Sequence, residues 1–286
     1  MTGRRLSLIV LLAPALTVLV PFFVVPLGVL ARNSFYRDDP TALMVADLGV
    51  RNYVRIFTDT QYVTAFIHSA GIAAAVTAVT MVCGYPFAYY LVRWARRSRP
   101  LLRWIVYTPL IVSAIVRVFG WIIITSDSGL INTTLLAAHL VDQPVRILYN
   151  VGGVFIGLCH RYFPLMVLPM ATAIAKIDPA LLAASSGLGA GTARTLFRVA
   201  IPLSLPGIVA GGQLVFAAVL SDFVLPLLMG STRFRMLAPA IFDEAIGNVS
   251  WASAASMAIV MLAVTALILA VTGYAFRRIA PWARAL

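Results

Sequence analysis

The chain has 286 residues, of which 61% are hydrophobic and only 11% are charged, and its formal net charge is +12. A soluble domain is about half apolar and about a quarter charged, so this composition excludes a soluble globular protein and indicates an integral membrane protein. The two cysteines and three histidines are scattered. They predict neither a disulfide framework nor a metal site, and we expect no cofactor.

Six segments are apolar over a length that can cross a bilayer, for which about 20 residues are needed. In chain order they cover 7–31, 65–92, 104–125, 148–174, 201–229 and 252–276. Each is predicted as a helix, because lipid offers no partner to an unpaired backbone group. The prediction is an all-α membrane protein with six transmembrane helices. No linker or low-complexity tract divides the chain, so we predict one domain over 1–286.

The charged residues predict the orientation of these helices. With six spans, both termini and two loops lie on one side, and that side carries thirteen arginines and lysines against one aspartate, Asp178. The opposite loops carry seven arginines against eight acids. Arginine-rich loops stay in the cytoplasm, which predicts that both termini are cytoplasmic. Since this bias accounts for the net charge, no nucleic-acid partner is needed.

The segment between spans four and five has an unusual composition for a connection between helices. It reads "LLAASSGLGAGTARTLFRVAIPLSLPGI" from Leu181 to Ile208. Asp178 and Pro179 predict the start of a short helix, and the glycines at 187, 189 and 191 predict its end. "TARTLFRVAIPL" predicts a second short helix before the fifth span. The charge count assigns this segment to the cytoplasm.

Motifs for nucleotide binding and hydrolysis are absent from the sequence. No GxxxxGK[ST] phosphate-binding loop occurs, and neither GxSxG nor HExxH is present. A transporter built from this chain therefore needs another subunit to hydrolyse ATP.

The segment 181–208 resembles the cytoplasmic loop of permease subunits from binding-protein-dependent ABC importers. In that family a glutamate-alanine-alanine triplet is followed by a glycine and then by a proline. Gly189 matches the glycine, and Pro202, Pro206 and Gly207 match the closing motif. The triplet here is Ala183-Ala184-Ser185, so an alanine occupies the position of the family's acid.

Further stretches resemble permeases of the spermidine/putrescine type. They are "IVSAIVRVFGWIIITSDSGLINTTL" at 111–135, "LYNVGGVFIGLCHRYFPLMVLPM" at 148–170 and "SDFVLPLLMG" at 221–230. In all, the likeness covers most of residues 50–275. It implies the type I ABC importer permease fold, with a cytoplasmic coupling helix between spans four and five.

The resemblance also implies a function and a set of partners. The chain is expected to be a non-catalytic subunit in the bacterial inner membrane, importing a small organic solute, with a polyamine or related amine favoured. The implied partners are a cytoplasmic ABC ATPase dimer, a second and related permease subunit, a periplasmic solute-binding protein and the lipid bilayer. The residues implied to contact the ATPase are Ala183, Ala184, Ser185, Gly189, Ala190, Arg194 and Pro202.

Three charged residues, Arg117, Arg161 and Asp222, lie inside the predicted spans. A charge at the bilayer centre costs at least about 2.5–3.5 kcal/mol, so such residues face the bundle interior or water. One interpretation is structural, with Asp222 pairing Arg117 or Arg161 and joining helices. The other places all three on the solute pathway.

Two further interpretations follow from the residue types. A self-sufficient secondary transporter with an ion or proton relay through Asp222 and Arg161 is the alternative function. Asp243 and Glu244 are adjacent acids in an outer loop, where they could meet a binding protein or guide a cation. A solvated loop is the commoner explanation for such a pair.

Overall fold

The computed structural model describes residues 2–39, 41, 43–95, 97–231 and 234–279, with side chains from residue 12 to residue 278. The first half of the chain forms α1 (Thr2–Asn33), β1 (Arg37–Asp39), β2 (Leu43–Val45), α2 (Arg51–Thr58), α3 (Thr60–Arg93), α4 (Arg99–Ile111), α5 (Ala114–Thr125) and α6 (Leu130–Ala137). The second half forms α7 (Val151–Ala175), α8 (Pro179–Gly187), α9 (Thr192–Thr195), α10 (Ile201–Leu220), α11 (Val224–Met229), α12 (Leu237–Phe242) and α13 (Trp251–Ile279). Arg96, Arg233 and Arg284, which enter the charge count, lie outside the described residues, as do the side chains of Arg4 and Arg5.

Six helical stretches of the described chain are long and apolar enough to cross a membrane, which confirms the predicted number. They are Leu12–Asn33, Thr60–Arg93, Ala114–Ala137, Val151–Ala175, Thr192–Leu220 and Trp251–Arg278. The third differs from the predicted 104–125, because the chain turns extended at Val112 between α4 and α5. The Arg117 side chain donates to the Val112 carbonyl and so supplies a donor to a main-chain group at this break.

The fifth span also differs from its prediction at both ends. The expected second short helix is not separate: α9 continues through a π-helical turn, Leu196–Ala200, directly into α10. In this turn the Ile201 N–H bonds to the Leu196 carbonyl, five residues back. Pro202 follows this turn directly, and as a proline it has no N–H to donate to a regular helical hydrogen bond. At the other end, α10 stops at Leu220 and the predicted 201–229 helix is interrupted before α11.

Contacts divide the chain into two compact units. The first consists of Met1–Val63 and Ile241–Ala263, and the second of Thr64–Ala240 and Val264–Leu286. The expectation of one domain over 1–286 stays a prediction.

In the first unit, two acids outside the spans make structural hydrogen bonds. Asp38, in β1, accepts hydrogen bonds from the backbone of Ala252 and Ser253 and from the Ser253 hydroxyl, at 2.7–3.0 Å. It therefore caps the start of α13. Glu244 is buried and accepts a hydrogen bond from the Tyr62 hydroxyl. The solvated-loop interpretation is wrong for Glu244, because a buried carboxylate requires hydrogen-bond donors that the sequence does not reveal.

In the second unit, α7 and α10 pack closely along two glycines. A Cβ on Gly207 would lie 2.5 Å from the Pro169 carbonyl oxygen and from the Ala173 Cβ, and one on Gly211 would lie 3.0 Å from the Met166 carbonyl oxygen. Both glycines are thus required for close helix contact, as is common in membrane proteins. This pair of helices carries the segment between them.

Candidate functional site: the segment between spans four and five

The segment begins with a capped helix, as the sequence predicts. Asp178 is the N-cap of α8, where its carboxylate accepts from the Ala180 N–H at 2.8 Å, and Pro179 is the first helical residue. This arrangement satisfies one of the free N–H groups of the first turn. The predicted start of the helix is therefore confirmed.

The end of α8 explains the requirement for Gly189. This glycine has φ of +79°, the only glycine with positive φ among the described residues. The N–H groups of Gly189 and Ala190 bond back to the carbonyls of Ser186 and Ser185 at 3.0 and 3.1 Å. These two bonds form a Schellman motif, in which the residue after the helix takes the left-handed conformation that glycine adopts without strain.

After this turn, α9 returns alongside α8. The hydroxyls of Ser185 and Thr195 bond at 2.9 Å and hold the two short helices together. A groove of 700 Å³ forms along this pair, and its lining includes five of the seven predicted coupling residues: Ala184, Ser185, Ala190, Arg194 and Pro202. Ala183 and Gly189 do not line it. Ser185 therefore holds α8 and α9 together and also lines the groove.

An apolar side chain that the family motif did not single out projects from the turn. Leu188 is 89% exposed, and Leu181 and Phe197 are also exposed. A leucine between two glycines in a turn is the sequence signal that would have found it. Apolar residues clustered around a groove mark an interaction surface.

The three charged residues of the spans belong to a second region. Arg161 in α7 lies 3.4 Å from Asp222, which occupies the break between α10 and α11. The same Asp222 oxygen accepts from the Tyr162 hydroxyl at 2.9 Å, and the other oxygen accepts from the Leu225 N–H at 3.4 Å. Both carboxylate oxygens thus have partners, and the Asp222 side chain is only 1% exposed.

Arg117, in α5, lies close enough to Arg161, Tyr162 and Asp222 for electrostatic interaction. Its guanidinium donates to the Val112 carbonyl, and within the described residues it forms no ion pair. The structure therefore brings Asp222 together with Arg161, while Arg117 supports the break in the third span.

Six apolar spans, with a closely packed helix pair that carries a groove around α8 and α9, define a helical protein that crosses the membrane several times. The model of a family described as "Binding-protein-dependent transport system inner membrane component" matches residues 80–281. The spermidine/putrescine transport system permease protein PotB of Escherichia coli (strain K12) is 32% identical over 88% of this chain and 92% of its own length. The putative 2-aminoethylphosphonate transport system permease protein PhnU of Salmonella typhimurium is 25% identical over 84% of this chain and 86% of its own.

Solved structures show the same fold. One chain of a bacterial alginate ABC transporter, in complex with an alginate pentasaccharide-bound periplasmic protein, matches 97% of this chain and 96% of its own length, with a TM-score of 0.81 at 17% identity. A chain of the MetNI methionine ABC transporter, in an inward-facing conformation, matches 79% of this chain with a TM-score of 0.52.

The chain belongs to the family of inner-membrane components of binding-protein-dependent transport systems. It is an ABC importer permease subunit with the type I fold, located in the inner membrane. It is not itself an enzyme, since ATP hydrolysis in this family belongs to a separate subunit. The resemblance found in segment 181–208 is thereby confirmed.

Proposed function

We propose that this permease imports a small organic solute by an ATP-driven cycle, with the grooved segment as its contact to the ATPase. The observation that carries the proposal is the groove itself. It collects five predicted coupling residues on two short helices that bond to each other, with Leu188 exposed at the turn. A groove of this kind accepts an apolar or helical element of a partner.

In the proposed cycle, two ATPase subunits each hold the 178–200 segment of one permease subunit. Closure of the ATPases on ATP displaces these segments, and the attached α7 and α10 shift the spans between inward and outward openings. The partner permease is a related chain, and a periplasmic binding protein delivers the solute. The cytoplasmic location of the segment and of both termini is part of this proposal.

Gly189→Asp tests the coupling role. The substitution places a charged side chain at a left-handed position in the turn, so we expect uptake to be lost while the chain still inserts into the membrane. Normal uptake by this variant would refute the assignment.

Copurification of an ATPase and a second permease is expected with the unaltered chain, whereas ion-driven uptake by this chain alone would favour a secondary transporter.

A polyamine or related amine is the favoured solute. The support is the name of the Escherichia coli relative, which is a spermidine/putrescine permease, and its coverage of most of this chain. Uptake of labelled spermidine and putrescine by the reconstituted complex tests this point. The same assay with 2-aminoethylphosphonate tests the next class of amine, since a relative carries that name.

For Arg117, Arg161 and Asp222, the contacts support a structural role more than a direct role in solute recognition. Asp222 is enclosed by Arg161, Tyr162 and the backbone of Leu225, and its side chain is only 1% exposed, so it is not accessible to a cationic solute in this conformation. Two guanidinium groups near one carboxylate also repel a diamine. We therefore propose that this cluster holds α5, α7 and α11 together beside the pathway.

A further inference from the structure

One arginine joins the end of span two to the start of the grooved segment. Arg93 is the last residue of α3, and its Nη2 donates to the carbonyls of Ile174 and Ile177 at 2.9 and 2.6 Å. Ile174 is in the last turn of α7, and Ile177 directly precedes Asp178, the N-cap of α8. A single guanidinium therefore bridges α3 and the junction between α7 and α8.

The chemistry of this contact is favourable. The last carbonyls of a helix carry the negative end of the helix dipole, and the Ile174 carbonyl is one of them. It already accepts from the Ile177 N–H at 3.2 Å, while Ile177 itself lies in the connection before α8. Because a carbonyl oxygen has two lone pairs, both carbonyls can accept from Arg93. A guanidinium satisfies them with charge-assisted hydrogen bonds, which are roughly twice as strong as neutral ones. Ile174 and Ile177 are both buried, so water competes little for their carbonyls.

Orientation of the spans does not require this contact. The positive-inside bias needs only a cation near the end of the span, and the neighbouring Arg97 meets that need while exposed to solvent. Within the described residues Arg97 makes neither a hydrogen bond nor an ion pair. Arg93 and Arg97 therefore carry the same charge, but only Arg93 contacts the junction between α7 and α8.

The position of the contact determines what it can transmit. Only Lys176 and Ile177 separate the end of α7 from the N-cap of α8, so a displaced α8 moves α7 through the chain itself. No such short link joins α8 to α3. Span two packs on span four at Gly84, where a Cβ would lie 3.4 Å from side-chain atoms of Met166 and Val167, and Arg93 fixes one end of this helix pair.

We infer that Arg93 is a positioning residue that transmits the movement of α8 to span two. This inference rests on the proposed coupling role of the segment. Without the guanidinium, ATP binding moves α8 and α7, but this movement is not transmitted to α3. The transporter then hydrolyses ATP with reduced solute movement.

The native thiol of Cys83 provides a probe of span two that needs no knowledge of the solute. Cys83 is a free, exposed cysteine in α3, and Cys159→Ser removes the other thiol. A spin label on Cys83 is recorded in the complete transporter with and without ATP and vanadate. A second labelled form, Cys83→Ser/Cys159→Ser/Thr172→Cys, reports on α7 in the same way.

We expect both labels to respond to ATP and vanadate in the otherwise unaltered chain and in Arg97→Gln, the matched control. In Arg93→Gln the response at Cys83 is expected to be lost and that at position 172 to persist. Arg93→Lys keeps the charge and is expected to restore part of the Cys83 response. If Arg93→Gln does not assemble, the comparison of Arg93→Lys with Arg97→Gln decides, through a reduced Cys83 response per assembled complex.

Two results would overturn the inference. One is a full Cys83 response in Arg93→Gln, or in Arg93→Lys if that variant alone assembles. The other is a Cys83 label that never responds in the unaltered chain although the label at position 172 does. Failure of the proposed function has a separate signature: neither label responds in the unaltered complex, or no ATPase copurifies with it.

Discussion

Two regions of this permease hold unusual residues, and they differ in burial. The charged residues in the spans are buried or half-buried with partners, whereas apolar residues between spans four and five are exposed. In the spans, Asp222 is enclosed by partners from its own chain, with Arg161 at 3.4 Å and Tyr162 at 2.9 Å. In the segment between spans four and five, Leu188 is 89% exposed beside an open groove. The Asp222 carboxylate finds its partners within the subunit, whereas the second region leaves apolar surface uncovered.

This difference assigns different kinds of role to the two regions. A charged residue within the spans faces the bundle interior and pairs with other charges or with backbone carbonyls, as Asp222 and Arg117 do here. An exposed apolar group outside the spans gains nothing from its own chain, and under the proposed function a partner subunit covers it. Changes in the first region should therefore act on stability, and changes in the second on association and coupling.

The largest effect is expected for Asp222→Ala. It leaves the Arg161 guanidinium without its carboxylate, and breaking a buried ion pair costs about 3–5 kcal/mol. Thermal unfolding of the purified subunit in detergent should show a large drop in the midpoint. The double variant Asp222→Ala/Arg161→Ala should recover part of it, because no unpaired charge remains. If Asp222→Ala is as stable as the unaltered chain but loses uptake, then Asp222 and Arg161 act in solute recognition and not in stability.

A somewhat smaller effect is expected for Leu188→Asp, and it should appear in association. Burial of a leucine contributes about 1.5–3 kcal/mol, so affinity for the ATPase should fall by at least about tenfold. Titration of the reconstituted permease with the ATPase measures this, and the unfolding midpoint should not change.

Leu140→Asp is the matched control for Leu188→Asp. Leu140 is 71% exposed, and it lies in the connection between α6 and α7. We expect no change in ATPase affinity for this variant. Equal losses in both leucine variants would contradict a specific role for the grooved segment.

Gly189→Ala tests the turn at the end of α8. A Cβ on Gly189 meets no atom within 4 Å, so only its φ of +79° opposes the substitution. The expected cost is about 1–2 kcal/mol in forming the turn, seen as weaker ATPase binding. Gly187→Ala is the control, since Gly187 is helical with open space around it, and it should stabilise the helix by about 0.5–1 kcal/mol. Equal effects of the two would mean that the turn geometry is unimportant.

The smallest effect is expected for Ala183→Glu, which restores the acid that the family motif has at this position. Ala183 is exposed and lies outside the groove. A new surface ion pair with the ATPase would contribute about 0.2–1 kcal/mol, so affinity should rise less than about sixfold. The salt dependence of ATPase binding measures this gain. No change at low salt would mean that the groove and Leu188 carry the contact without an acid.

The sequence alone was sufficient to predict the number of spans, the start of α8 and the family. Hydrophobic run lengths predicted six spans, and a proline after an aspartate predicted the start of α8, because these are local properties that lipid and helix caps impose. The motif around Gly189 and Pro202 predicted the family. The predicted cytoplasmic location of both termini depends on the same loop charges and stays a prediction.

The tertiary structure alone decided which polar groups meet. Helix breaks at Val112 and near Asp222 interrupt the predicted spans 104–125 and 201–229, although hydropathy predicted each of them as one continuous span. The side chains of Asp38, Glu244, Asp222 and Arg93 each have a partner far away in sequence, at separations from 60 to 215 residues. Hydropathy measures how well each residue suits lipid, whereas a hydrogen bond depends on the distance between two atoms, which is set only when helices pack.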